Sequence, residues 1–119
     1  MKKTLILFAL LFSSILFAQD TIQTLKVAEN IGKLVWVKGK IASYKLAGEG
    51  KTTNYINIDQ SYPNNIFTVV LTTKYIENHS IKLDGTKGKD ILVKGTLEVY
   101  DKDPKKIPQI FNPLEIIIK

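Results

Sequence analysis

The side chains that could carry out covalent chemistry are few and poorly grouped. His79 is the only histidine. It lies in Glu77-Asn78-His79-Ser80, a polar connection, and no spacing joins it to a serine and an acid in a hydrolase pattern. Asp101-Lys102-Asp103 has the opening of a calcium loop but lacks the acidic, glycine and glutamate positions that complete one. Gly48-Glu49-Gly50-Lys51 is too short to cradle a phosphate, and strand patterns flank it on both sides, so no helix N-terminus backs it. The chain has no cysteine, which removes thiolate metal sites and disulfides together. The expectation is a non-enzymatic protein with no metal and no cofactor. What remains is binding chemistry, built from aromatic rings beside lysines. Leu34–Tyr44 shows it first. Trp36, Lys38, Lys40 and Tyr44 fall on one side of its alternation, and Val35, Val37 and Ile41 fall on the other.

Charge narrows the ligand. The formal net charge is +6, and all of the basic residues are lysine. Removing Lys2 and Lys3 with an N-terminal leader leaves 6 − 2 = +4. Without arginine there is no fork to grip guanine or phosphate in a bidentate manner, so base-specific readout of duplex DNA is not expected. The leader itself is read over residues 1–18: Met1-Lys2-Lys3, an apolar run from Leu5 to Leu11 and again at Ile15-Leu16-Phe17, then Ala18 as the cleavage residue. That is the layout of a secretory signal peptide. It predicts export to the periplasm or the medium, no membrane span after cleavage, and a single domain over residues 19–119. A domain of this size without disulfides must be held by its core alone.

The elements that would position the binding groups follow from pattern. Thr21–Ile31 has roughly helical apolar spacing and ends at Gly32, which predicts a short N-terminal helix. Strand patterns cover Leu34–Tyr44, Asn54–Asp59, Ile66–Leu71, Asp90–Tyr100, and Gln109–Phe111 resuming over Leu114–Ile118 beyond Asn112-Pro113. A short helix is expected to start near Thr72 or Thr73. Val37-Lys38-Gly39 returns as Val93-Lys94-Gly95, and a glycine inside a long strand marks a bend or a bulge. Trp36 either joins a basic-aromatic strip with Lys38 and Lys40 or packs beneath the N-terminal helix, the more usual place for a lone tryptophan.

Five strands with a helix between the third and fourth is the order of an all-β, five-stranded OB-fold barrel. On Val35-Trp36-Val37-Lys38-Gly39-Lys40-Ile41, Tyr55-Ile56-Asn57-Ile58, Tyr62-Pro63-Asn64-Asn65, Val93-Lys94-Gly95-Thr96-Leu97 and Pro108-Gln109-Ile110, the chain resembles small exported bacterial OB-fold proteins of the nucleic-acid-binding type. The resemblance implies a ligand face across the second and third strands, flanked by two loops. That face would show Tyr55, Asn57 and Thr68, with Tyr62 in the adjoining turn and Lys45, Lys51, Lys102, Lys105 and Lys106 in the flanking loops. Rings for stacking and cations for the backbone suit single-stranded DNA or RNA, with affinity falling steeply as salt rises. Two alternatives stand beside it. Tyr55 and Tyr62 could cap the core rim, with the lysines only solvating loops. The ligand could instead be a small molecule, a peptide or an envelope protein. Exported nucleases of OB type use arginine on the phosphoryl transition state, and this chain has none.

Overall fold

The computed structural model describes Thr21–Lys119. The signal-peptide reading of residues 1–18 lies outside the described residues. The chain runs through β1 (Thr21–Gln23), a 3-10 helix (Thr24–Asn30), β2 (Leu34–Lys45), β3 (Thr53–Ile58), β4 (Thr68–Thr72), α1 (Thr73–Asn78), β5 (Asp90–Thr96), β6 (Glu98–Val99), β7 (Pro108–Phe111) and β8 (Glu115–Ile118). The strands form one sheet in the order β6-β7-β4-β3-β2-β5-β8, with β1 beside β2. β6 ends this path, yet it follows β5 after the single residue Leu97. The sheet is therefore curled, and its two sides are tied through the chain at Leu97.

β2 organises the curl. Its first half, Leu34–Lys40, pairs antiparallel with β5. Its second half, Ile41–Lys45, pairs antiparallel with β3, with a register shift between Ile41 and Ser43. A bulge of this kind bends and twists a strand locally. Gly39 and Gly95 serve close approach. A Cβ on Gly95 would lie 2.5 Å from Ile110 Cγ2, and one on Gly39 would overlap Ile58 Cγ2. Inward positions fill the core: Val37, Ile56, Phe67, Val69, Leu71 and Ile110 are all essentially inaccessible to solvent.

Eight strands stand where five were expected, for three local reasons. Leu97 parts the fourth expected strand into β5 and β6. It is fully buried, and it exchanges backbone bonds with the turn before β2, accepting from Gly32 N (2.7 Å) and donating to Lys33 O (3.0 Å). Asn112 parts the fifth into β7 and β8. Its φ is +43°, its N–H donates to Val70 O (2.8 Å), and its Oδ1 accepts from Thr72 N (3.0 Å). β1 replaces the first turn of the expected N-terminal helix by pairing in parallel with Trp36–Lys38. The remainder is a 3-10 helix in which Thr24 and Val27 are buried while Leu25 is 77% exposed. Three residues per turn place positions 24, 27 and 30 on one line, a narrower stripe than an α-helix buries.

The helix between β4 and β5 begins where expected. Thr72 is its N-cap and accepts from Tyr75 N at 3.1 Å. Tyr75 is buried beneath it and donates its hydroxyl to Pro113 O at 2.7 Å. Burial raises the phenol above its ordinary pKa, which keeps it a donor. Thr72→Ala should lower stability by about 1 kcal/mol, the usual cost of an N-cap. The measurement is a urea midpoint that moves down while the m-value stays constant.

Candidate functional site

Strand register arranges the outward side chains of the β2-β3-β4-β7 sheet in two rows. Ile56, Val69, Leu71 and Ile110 turn inward, so their strand neighbours turn outward. One row is polar and runs Ser43–Asn57–Thr68–Gln109–Glu98. The other runs Lys45–Tyr55–Val70–Phe111. The Tyr62 turn and the loop from Tyr100 to Ile107 stand over the polar row. Together they enclose a groove of about 430 Å³, lined by Lys45, Tyr55, Asn57, Tyr62, Thr68, Tyr100, Asp103, Ile107 and Gln109.

Three tyrosines on this groove are open to solvent: Tyr55 at 41%, Tyr62 at 64% and Tyr100 at 54%. Their rings come from a strand, a turn and a strand end, which are separate parts of the chain brought to one surface. The floor is polar and held in place. Asn57 and Thr68 are largely buried. Asn57 Nδ2 donates to Ser43 Oγ (3.0 Å), and Asn65 Nδ2 reaches both Asn57 Oδ1 (3.2 Å) and Thr68 Oγ1 (2.6 Å). Asn65 Oδ1 is buried with no hydrogen-bond partner among the described residues. Gln109 Nε2 donates to Glu98 Oε1 (3.2 Å), which holds the far end of the row. Asp103 is turned into its own loop, where its carboxylate accepts from Lys105 N (2.9 Å) and Ile107 N (3.0 Å). These two bonds fold the loop and so shape the rim.

Five of the expected site residues meet in this groove: Tyr55, Asn57, Thr68, Tyr62 and Lys45. Lys51, Lys105 and Lys106 do not. Lys51 stands exposed in the β2–β3 loop, where its N–H closes a turn on Gly48 O (3.0 Å). Lys105 and Lys106 line a different hollow, with Leu25, Ala28, Pro63, Asn64 and Ile66. The Asp103 turn directs them to the other side of the loop, and Lys106 Nζ bonds back to Asp101 O. Lys102 is exposed and is not on the groove. Tyr100, Asp103, Ile107 and Gln109 were not expected there. The alternation of the last strand was a signal for Gln109; nothing local signalled the other three.

Trp36 and His79 do not line this groove. Trp36 is half-buried on the outward face of the β2–β5 sheet, aligned with Thr21 of β1, and is not among the side chains packed on the core. Lys94 Nζ stands 5.8 Å from its ring centroid, so a cation accompanies the indole on this face. His79 stacks on Tyr75, with centroids 3.8 Å apart, and its Nδ1 lies 2.9 Å from Tyr75 O. Among the described residues, no three His, Cys, Asp or Glu side chains group as metal ligands, and no helix is long and apolar enough to cross a membrane.

No protein-family model matches the chain, and no curated protein gives a significant match. Solved structures do resemble it. One is an aspartyl-tRNA synthetase from Leishmania major Friedlin, with TM-score 0.59 and 9% identity over 85% of this chain and 21% of the other. A second is OBody AM3L15, bound to hen egg-white lysozyme, with TM-score 0.60 and 20% identity over 84% of this chain and 94% of the other. A third is the yeast Stn1 and Ten1 structure, with TM-score 0.58 and 10% identity over 85% of this chain and 63% of the other. The chain thus spans about a fifth of the length of that synthetase. At these identities the likeness carries the fold alone: a mostly β, curled sheet of the OB type.

Proposed function

We propose that the protein is an exported, non-enzymatic binding module that holds single-stranded DNA or RNA in the Tyr55–Tyr62–Tyr100 groove. The observation that carries this reading is the convergence of three exposed tyrosines over a hydrogen-bonded polar floor. Unpaired bases offer flat faces to stack on, and each stack is worth roughly 1–3 kcal/mol. Thr68 and Gln109 lie on the floor where a base edge would rest. Two of the structural neighbours are named as tRNA synthetases, which is consistent with this reading.

The placement of the lysines changes the expected character of the binding. Among the described residues Lys45 is the one lysine lining the groove, so few phosphates can be neutralised there. Stacking, and not charge, would supply most of the affinity. Each phosphate neutralised on a single strand contributes about −0.7 to the slope of log K against log salt, so a slope near −1 is expected. The test is fluorescence anisotropy with a mixed-sequence oligonucleotide of about 15 nucleotides, titrated at several salt concentrations. A slope steeper than about −3 would place the ligand on the scattered lysines instead. Absence of binding at low salt would sink the reading. The scarcity of cations also suits a peptide or protein partner seated on the Tyr55–Val70–Phe111 row, which the same titration distinguishes.

A further inference from the structure

β8 has one satisfied edge and one open edge. Among the described residues it pairs only with β5. Asp90 and Lys119 exchange two backbone bonds, N–H to O at 3.2 and 3.0 Å. Alternation along an antiparallel ladder then makes Ile117 a hydrogen-bonded position as well, and turns the N–H and C=O of Ile116 and Ile118 away from β5. No hydrogen bond from these four groups to any other described residue is found. Their edge borders an open groove of about 510 Å³, walled on the far side by Ser80, Ile81, Lys82, Thr86 and Lys89. Leu114 and Ile117 beside it are 66% and 40% exposed. A β-branched strand with an open ladder edge is a template for another strand.

The sequence of that strand is complementary to itself. We propose that β8 pairs antiparallel with β8 of a second copy, centred on Ile117, so that the curled sheets of two copies join edge to edge. Open backbone groups sit on Ile116 and Ile118, so a bonded register must set these residues opposite each other or opposite themselves. Three registers meet that condition. Pairing Ile116 with Ile116 leaves Glu115 opposite Ile117, and pairing Ile118 with Ile118 leaves Lys119 opposite Ile117. Pairing Ile116 with Ile118 places Glu115 opposite Lys119 twice, and Ile117 opposite Ile117. Only this third register uses the open groups of both residues and matches opposite charges across the two-fold axis. Glu115 has charge to spare for it: its nearest cation is Lys94 Nζ at 4.0 Å, and its side chain is 58% exposed. The β8 edge lies apart from the tyrosine groove, with which it shares no lining residue, so this inference stands independently of the proposed ligand.

The test is sedimentation equilibrium of the mature chain up to about 1 mM, where a single strand pairing is populated. Dimer is expected for the natural sequence. Glu115→Lys and Lys119→Glu each set like charges opposite at both ends of the pairing, and each should weaken the dimer about tenfold. Mixing the two variants restores opposite charges at both ends, so a heterodimer should form that is tighter than either homodimer. Both positions are exposed, and thermal melting of each variant confirms that the fold persists. A natural chain that stays monomeric at the highest concentration overturns the proposal. So does a dimer indifferent to both substitutions, or a mixture no tighter than its components. If an added extended peptide then pairs with the edge of a monomeric chain, the edge serves a different partner and the self-pairing is refuted.

Discussion

Tyr55→Ala should weaken binding of a single-stranded oligonucleotide by about 1–3 kcal/mol, roughly 5- to 150-fold, the cost of one lost base stack. Its ring stands at the centre of the outward face, between Lys45 on β2 and Val70 on β4. β3 is paired on both sides at this position, so the ring is carried on a firmly held strand when a base lies on it. Tyr55→Phe keeps the flat face and should bind within about twofold of the natural protein if stacking, and not the hydroxyl, is what counts. Tyr100→Ala tests the same groove from the opposite rim. The two losses should add, because the rings belong to separate elements and would engage different bases. Melting temperature should barely move in the Tyr55 variant, since the side chain is 41% exposed. The decisive comparison is anisotropy at fixed low salt. Equal affinities for the natural chain and both alanine variants would mean that the ligand lies elsewhere on the molecule.

The parts of this site that could be read in advance are those set by local alternation. Tyr55 and Asn57 face outward because Ile56 and Ile58 must face inward, and no tertiary information is needed for that. Thr72 is recognisable as a cap, and Asn112-Pro113 as an interruption, because their chemistry acts on their own backbone. Thr68 carried an ambiguity. Its face also bears Val70, which is almost fully covered and has Tyr55 and Phe111 as its neighbours across the sheet. What could not be read depends on where a loop turns. Asp103 accepts two backbone N–H bonds and folds the loop so that Tyr100 and Ile107 reach the groove while Lys105 and Lys106 leave it. A count of lysines near the site in sequence therefore overstated its positive charge. The N-terminal segment illustrates another limit. Thr21–Gln23 has weak preferences of its own, and an available edge on β2 decides its conformation.

Gly39→Ala should cost about 2–5 kcal/mol of stability, although it adds one methyl group. The added Cβ would overlap Ile58 Cγ2 and lie 2.8 Å from Asp59 Oδ1. Ile58 is fully buried and has nowhere to withdraw. Moving Asp59 is the other way out, and that residue latches three elements. Its N–H donates to Lys40 O (2.7 Å), its Oδ1 accepts from Lys40 N (2.8 Å), and its Oδ2 accepts from Thr24 Oγ1 (2.6 Å). It does so from a left-handed backbone, with φ at +66°. Displacing it frees the end of β3 from β2 and leaves the buried Thr24 hydroxyl without its acceptor. Overpacking in a filled core costs about 1–3 kcal/mol, and an unpaired buried hydroxyl costs a similar amount. At roughly 4–8 °C per kcal/mol for a domain of this size, the melting temperature should fall by about 8–40 °C. Gly48→Ala is the control: nothing lies within 4 Å of its added Cβ, and it should melt within a few degrees of the natural chain. A Gly39→Ala protein that melts beside that control would show that β2 does not depend on close approach at Gly39. The partner switch from β5 to β3 would then rest on the register shift at Ile41–Ser43 alone.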